Sequence, residues 1–174
     1  MRLYGSRVPM IAQEVVRHLL DQNLIAIDPE NVHEVELDAE SVLKEYLRAE
    51  RQLTDQAKDQ AHERGLDYSA HQKIKRQLAE KARFGLYEEA VGYICNQLIE
   101  TFLHTRHVEE IFGGDSDLRG ALAPLIRRHM SSSDELDAEV RKRIKNLKEG
   151  TQDWDIRYQQ TMERLKEMRG FTDA

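Results

Sequence analysis

The sequence predicts an all-α protein of about six amphipathic helices, arranged in two packed halves with a long C-terminal helix. Apolar side chains recur at intervals of three and four residues through most of the 174-residue chain, which is the period of a helix with one buried face. Charged residues make up 33% of the chain and hydrophobic residues 40%. Helices that keep one face in water accommodate so many charges most easily, so this composition supports the same fold class.

The first half, residues 1–84, begins with a helix for which Pro9 is well placed, because the first turn needs no N–H at that position. Residues 24–37 combine a short apolar run with the turn signal Asp28-Pro29 and then apolar residues among charges. This pattern admits one small β-hairpin, the single sheet we expect. Asp38 then has the position of an N-cap and opens a helix that should continue to Gly65.

The second half, residues 85–174, should start after a bend near Phe84 and continue as a long helix over residues 88–112. The serines at 131–133 break the helical pattern. Beyond them, one apolar stripe keeps its phase across Gly150, which favours a single continuous helix of about 50 Å at 1.5 Å per residue. Its members are Leu136, Val140, Ile144, Leu147, Trp154, Tyr158, Thr161, Leu165 and Met168.

The two halves are weakly similar to each other. Pairing each residue from Met10 to Gly65 with the one 79 positions later gives eight identities, including Leu19 with Leu98 and Leu43 with Leu122. Random pairing gives roughly three or four at average composition. Any two amphipathic helices align at some phase, so a structural repeat and a chance alignment are equally good interpretations.

The charges are unevenly distributed. The chain has a net charge of −6, and residues 1–70 alone account for it, with eight basic and fourteen acidic residues. An acidic balance argues against a nucleic-acid-binding protein, although local basic patches remain. Cys95 is the only cysteine, which suits a reducing compartment. With no signal peptide and no apolar segment long enough to cross a bilayer, we expect a cytoplasmic protein without membrane contact.

Three groups of residues could carry a function. Glu100, His104 and His107 stand at i, i+4 and i+7, which would place three metal-ligand types on one helical face. Arg141 and Arg143 belong to a basic cluster that could contact nucleic acid or an acidic partner. The aromatic stripe contains Trp154 and Tyr158, residue types common at protein interfaces. Each group also has an ordinary interpretation, as a wet helix face or as packing within the chain.

The C-terminal stripe resembles the end of DUF507, a family of uncharacterised bacterial proteins. The resemblance includes the run over residues 139–151, then Trp154-Asp155-Ile156-Arg157-Tyr158, and the opening Met1-Arg2-Leu3-Tyr4. It extends to Leu37-Asp38 with the following Val42-Leu43-Lys44-Glu45-Tyr46, and to Val108–Phe112, and so covers essentially the whole chain. It implies a bacterial, intracellular protein. The family has no established function, so no role is carried over to Trp154 or Asp155.

No catalytic motif or phosphate-binding loop is present in the sequence, so our leading hypothesis is a non-catalytic interaction or scaffold protein. It would bind a protein partner or associate with itself through the long C-terminal helix, with Arg141, Arg143, Trp154, Asp155 and Tyr158 as candidate contacts. The first alternative is a nucleic-acid-associated protein that uses its basic helix faces. The second is a metal protein or enzyme built on Glu100, His104 and His107. We expect no cofactor and no small-molecule substrate.

Overall fold

The computed structural model describes residues 2–168, apart from the side chains of residues 132–134, and shows an all-α protein. The described part contains six helices: α1 Val8–Asp21, α2 Val32–Glu63, α3 His71–Ala82, α4 Ala90–His104, α5 Asp115–Arg143 and α6 Gln152–Met168. Short 3-10 turns span Gly5–Arg7, Pro29–Asn31, Tyr68–Ala70 and Tyr87–Glu89. The predicted fold class is therefore confirmed. No helix in this part of the chain is long and apolar enough to cross a membrane.

The small sheet exists, but it is not a local hairpin over residues 24–37. Strand β1, Ile25–Ala26, pairs antiparallel with β2, Glu110–Ile111, so that Ile25 faces Ile111. Residues 32–37 belong instead to α2, which begins six residues before the expected Asp38 cap. Helix formation prevails there because Val35 and Ala39 are both fully buried at helical spacing.

Helix α4 is shorter than predicted and ends at His104 rather than at Phe112. Thr105 takes an extended conformation, and its hydroxyl donates a hydrogen bond of 2.7 Å to Oδ2 of Asp38 on α2. This contact directs the chain away from the helix axis and towards β2. The sequence could not show it, because it joins residues far apart along the chain.

The predicted continuous C-terminal helix is wrong, and so is the predicted break at the serines. Helix α5 continues through residues 131–133 to Arg143, and residues 144–151 then form a turn before α6. Gly150 has a φ of 86°, in the left-handed region that glycine tolerates, and the Thr151 hydroxyl accepts a hydrogen bond of 3.3 Å from the Trp154 backbone N–H. The chain therefore folds back on itself here.

This reversal makes the apolar stripe bury itself. Residues from the end of α5 and from α6 pack together with Tyr4 in a cluster separate from the main core. Its buried members are Tyr4, Leu136, Val140, Ile144, Tyr158, Met162 and Leu165, with Trp154 partly buried against them. We call this group the C-terminal cluster. The ordinary interpretation of the stripe, as packing within the chain, is the one the structure supports.

The order of elements occurs twice. The first series is a 3-10 turn, helix α1, strand β1 and helices α2 and α3. The second is a 3-10 turn, helix α4, strand β2 and helices α5 and α6. In the described residues, the first series has two additional 3-10 turns, before α2 and before α3. Equivalent helices and strands begin 81 to 85 positions apart, and α2 and α5 begin 83 apart. At a spacing of 83, Val8 corresponds to Val91 and Ile11 to Ile94, and all four are buried. The repeat is therefore present, but one helical turn away from the 79-residue spacing that the sequence suggested.

The two units pack reciprocally. Helix α1 lies against α5, α2 lies against α4, and the two strands join the units by pairing with each other. The main core takes buried residues from both units, from Leu3 to Met130, so the division at residue 84 remains a prediction about domains. Cys95 is buried in this core, and burial raises the pKa of its thiol to about 11. A buried thiol with a raised pKa is a poor nucleophile at neutral pH.

Candidate functional site

The predicted basic contacts are already used inside the molecule. Arg141 donates hydrogen bonds to Asp137 at 2.7 Å and to Glu149 at 2.5 Å, and its guanidinium lies 5.2 Å from the ring centre of Trp154. Burial alone would lower the pKa of Arg141, but these two carboxylates outweigh it and raise the pKa. Arg143 pairs with Glu139 at 2.6 Å. These pairings reduce the positive charge available for a phosphate backbone.

The aromatic candidates form a joint between helices. Trp154 and Tyr158 are stacked with ring centres 4.9 Å apart, and the Tyr158 hydroxyl donates to Asp137. Asp155 lies on another side of α6, where Oδ2 accepts a hydrogen bond of 2.6 Å from the Tyr68 hydroxyl. Burial, followed by this hydrogen bond, raises the pKa of Tyr68. The Trp-Asp pair therefore fixes α6 against α5 on one side and against the first unit on the other.

The three potential metal ligands are not brought together. The Nδ1 atom of His104 lies 2.7 Å from the carbonyl oxygen of Glu100, and His107 lies beyond the end of α4 with Nδ1 3.3 Å from Oδ2 of Asp38. The i, i+4, i+7 geometry fails because the helix stops at His104. Among the described residues, no three His, Cys, Asp or Glu side chains are grouped as metal ligands.

A groove lies between α2 and α4. It encloses about 340 Å³ and is open to solvent along one side. From α2 it is lined by Asp38, Ser41, Val42, Glu45, Tyr46 and Ala49, and from α4 by Tyr93, Ile94, Gln97 and Thr101, with Phe84 at one end. We call this surface the α2/α4 groove. Its floor is apolar or aromatic and its rim is polar, a combination typical of binding sites.

Three aromatic rings close one end of the groove. Tyr46 stacks on Phe84 at 5.0 Å between ring centres, and Tyr93 contacts Phe84 at 4.8 Å. The Tyr46 hydroxyl donates to the carbonyl oxygen of Gly85 at 3.1 Å. Gly85 has to lack a side chain, since a Cβ there would lie 2.6 Å from the Cβ of Tyr93. This end of the groove is therefore firmly held in shape.

The groove lies between two acidic stretches of the chain, and Asp38 and Glu45 are the carboxylates that line it. Residues 28–49 contain seven carboxylates against Lys44 and Arg48, and residues 88–104 contain three carboxylates and neither lysine nor arginine. The two segments together have an excess of eight negative charges, more than the six of the whole chain. The rest of the protein is therefore slightly basic, and the groove lies in its acidic region.

The repeat shows how this fold closes the equivalent interface. Between α1 and α5, Glu14 binds Arg128 and accepts a hydrogen bond of 2.5 Å from Nε2 of His129. Burial alone would raise the pKa of Glu14, but these two partners lower it. At a spacing of 83 residues, Gln97 corresponds to Glu14, Glu45 to Arg128 and Tyr46 to His129. The basic residues Arg128 and His129 thus have no basic counterpart at these positions, and a groove lies there instead.

Analysis of the sequence alone missed the α2/α4 groove, although two signals for it exist. Residues 28–49, which include its α2 wall, contain seven carboxylates against two basic residues, and no Lys or Arg occurs from Phe84 to Thr105. Neither signal reveals that α2 and α4 are neighbours, which depends on the reciprocal packing of the two units. Glu45 flanks Tyr46 in the sequence, and helical phase turns it towards water at the groove rim.

A family comparison covers nearly the entire chain. The model for the protein family of unknown function DUF507 matches residues 1–171. The chain belongs to the DUF507 family. No curated protein matches the sequence. Membership of DUF507 agrees with the resemblance of the N-terminal and C-terminal runs, and it assigns no activity.

Proposed function

We propose that this DUF507 protein is a non-catalytic, cytoplasmic bacterial protein that binds another protein in its α2/α4 groove. The observation that carries this proposal is the groove itself, which combines an apolar and aromatic floor with an open side. Val42 and Ala49 are only partly buried, so apolar surface remains for a partner to cover. A groove between two helices is a common receptor for a helical segment of another protein.

Self-association through the C-terminal stripe forms no part of this proposal. Its large side chains, such as Tyr158 and Leu165, are buried within the chain and have little surface to offer a second copy. Nucleic-acid association has less support because the groove carries Asp38 and Glu45, which would repel a phosphate backbone. The metal-centre hypothesis also has less support, because α4 ends at His104 and His107 therefore does not share a helical face with Glu100.

Co-purification with a blocked groove tests the proposal. Ser41 is exposed on the groove rim, so Ser41→Trp should fill the opening without disturbing the core. Gln52→Trp adds the same ring to an exposed position of α2 that does not line the groove, and serves as the matched control. Tagged wild-type and variant proteins are purified from nuclease-treated cells, and the bound proteins are identified and cross-linked.

We expect wild type and Gln52→Trp to retain the same stoichiometric protein, cross-linked next to α2 or α4, and Ser41→Trp to lose it. Retention of the same proteins by all three would contradict the proposal. Loss of every bound protein from wild type on nuclease treatment would instead favour the nucleic-acid alternative.

A further inference from the structure

We infer that the occupant of the α2/α4 groove is a basic amphipathic helix of a different protein. This inference rests on the proposed function and names the chemistry of its partner. The lining residues of α2 extend from Asp38 to Ala49, which at 1.5 Å per residue is about 16 Å or three helical turns. A segment of three or four turns, with apolar residues at i, i+3, i+4 and i+7, matches this length.

The negative charge at the rim of the α2/α4 groove favours a basic partner helix. Asp38 and Glu45 line the groove, and Glu34 lies on the same side of α2, one helical turn before Asp38. Glu45 binds Arg48 at 2.6 Å in an exposed surface pair, which a partner can exchange. Asp38 lies 3.3 Å from His107 and accepts the hydrogen bond from Thr105, an acceptor role that the amide oxygen of Asn can also fill in the Asp38→Asn variant. The residues that line the groove include the carboxylates Asp38 and Glu45 and neither lysine nor arginine. An acidic helix would be repelled by these carboxylates, whereas lysines or arginines at the rim would be attracted by them.

The other half of the protein supports the same chemistry. There, Glu14 at the α1/α5 interface contacts the side chains of Arg128 and His129. At the positions 83 residues away, next to the α2/α4 groove, the chain supplies Gln97, Glu45 and Tyr46. A basic helix would bring to the groove the kind of carboxylate–arginine contact that the α1/α5 interface contains.

A second copy of this chain does not fit. Its most basic helix, α3, exposes Lys73, Arg76 and Lys81, but buries Ile74 and Ala79 against α2. The basic side of α3 therefore has no large aliphatic residue to place on the groove floor. Nucleic acid is excluded by the sign of its charge. The matching partner is a separate protein with cationic and apolar residues on the same helix.

Peptide binding tests the inference directly. The probe is a fluorescein-labelled Leu/Lys peptide of about 18 residues, with leucines at i, i+3, i+4 and i+7, long enough to form a stable helix on binding. Two matched peptides replace every Lys by Glu or every Leu by Gln. Anisotropy titrations with the full-length protein, at low and at physiological salt, give the dissociation constants.

We expect the Leu/Lys peptide to bind at least about tenfold more tightly than either matched peptide, and more tightly at low salt. The double variant Asp38→Asn/Glu45→Gln should weaken binding by about fivefold to tenfold, and Ser41→Trp should weaken it at least as much. The control Asp55→Asn/Asp59→Asn removes the same charge from exposed positions of α2 outside the groove and should change it less than about twofold. Thermal melts establish that each variant is folded.

Equal weakening by the two double variants, or equal binding of the Glu peptide, would overturn the inference. Sedimentation that shows a dimer abolished by Asp38→Asn/Glu45→Gln would also overturn it, because the groove would then belong to a second copy. If the Leu/Lys peptide fails to bind while Ser41→Trp still loses its co-purified protein, the basic helix is wrong and the proposed function stands. If Ser41→Trp keeps that protein, the proposed function itself is wrong.

Discussion

Removing the Tyr68 hydroxyl should loosen α6 from the first unit. The hydroxyl donates a 2.6 Å hydrogen bond to Asp155, 87 residues away. Deleting a hydrogen bond to a charged group costs about 1.5–3 kcal/mol when the groups are buried. Both side chains here are partly exposed, so water can replace part of the bond, and we expect Tyr68→Phe to lower the free energy of unfolding by about 1–2 kcal/mol.

Urea denaturation of a double-mutant cycle measures this contribution. Tyr68→Phe, Asp155→Ala and the double variant should give a coupling energy of about 1 kcal/mol. For a protein of this size, a loss of 1–2 kcal/mol corresponds to a fall in Tm of about 2–8 °C. Tyr87→Phe is the control, because the Tyr87 hydroxyl is exposed and its contact with Gln72 is long, at 3.4 Å. It should change stability by less than about 0.5 kcal/mol.

Hydrogen exchange locates the effect. Tyr68→Phe should speed exchange of the α6 amides, residues 152–168, while the amides of α1 keep their protection, because the C-terminal cluster is separate from the main core. Additivity of the two single changes within about 0.3–0.5 kcal/mol would refute an energetic link between Tyr68 and Asp155. Uniform acceleration throughout the protein would refute the local role assigned to this bond.

Three further perturbations have distinct expected outcomes. Gly85→Ala should lower the free energy of unfolding by about 1–3 kcal/mol, because the added Cβ would clash with Tyr93. Gly92→Ala should raise it by about 0.5–1 kcal/mol, because this helical site has open space around it. Urea midpoints that move in the same direction for both variants would contradict this prediction. Glu14 has a lowered pKa, so its contribution to stability is present at a pH above the ordinary carboxyl pKa near 4.5 and is lost as the pH falls. The Tm of wild type should therefore decline between about pH 5 and pH 3, and Glu14→Gln should flatten this decline. An unchanged decline would argue against the ion pair. Cys95 should react with a thiol reagent at pH 8 only slowly in the native state and rapidly in urea, because burial raises its pKa to about 11; fast native labelling would contradict its burial.

Helical periodicity predicted the fold class because almost every buried face in this protein belongs to a helix. It failed at helix ends, which depend on partners distant in the sequence: Thr105 ends α4 by bonding to Asp38. The C-terminal stripe could not distinguish one continuous helix from two arms that fold together. Both arrangements need the same residues on the same side, and only Gly150 and Thr151 indicated the turn.

The repeat shows the same ambiguity within the helix. Spacings of 79 and 83 residues are both close to a whole number of helical turns, so each aligns apolar positions with apolar positions. The 79-residue spacing pairs Leu43 with Leu122, whereas the structural spacing pairs Leu43 with Ile126. Identity favoured the wrong alignment by one turn. The groove could not be predicted from the sequence either, because it depends on which helices are neighbours.

The short pairing of Ile25 with Ile111 has a consequence for attempts to divide the protein. Each strand has only two residues, so neither can form a sheet without the other. A chain cut near residue 84 would leave one strand on each fragment, and would also separate α1 from α5 and α2 from α4. Fragments 1–84 and 85–174 should therefore be poorly folded alone and regain native circular dichroism when mixed, as complementary pieces of one fold.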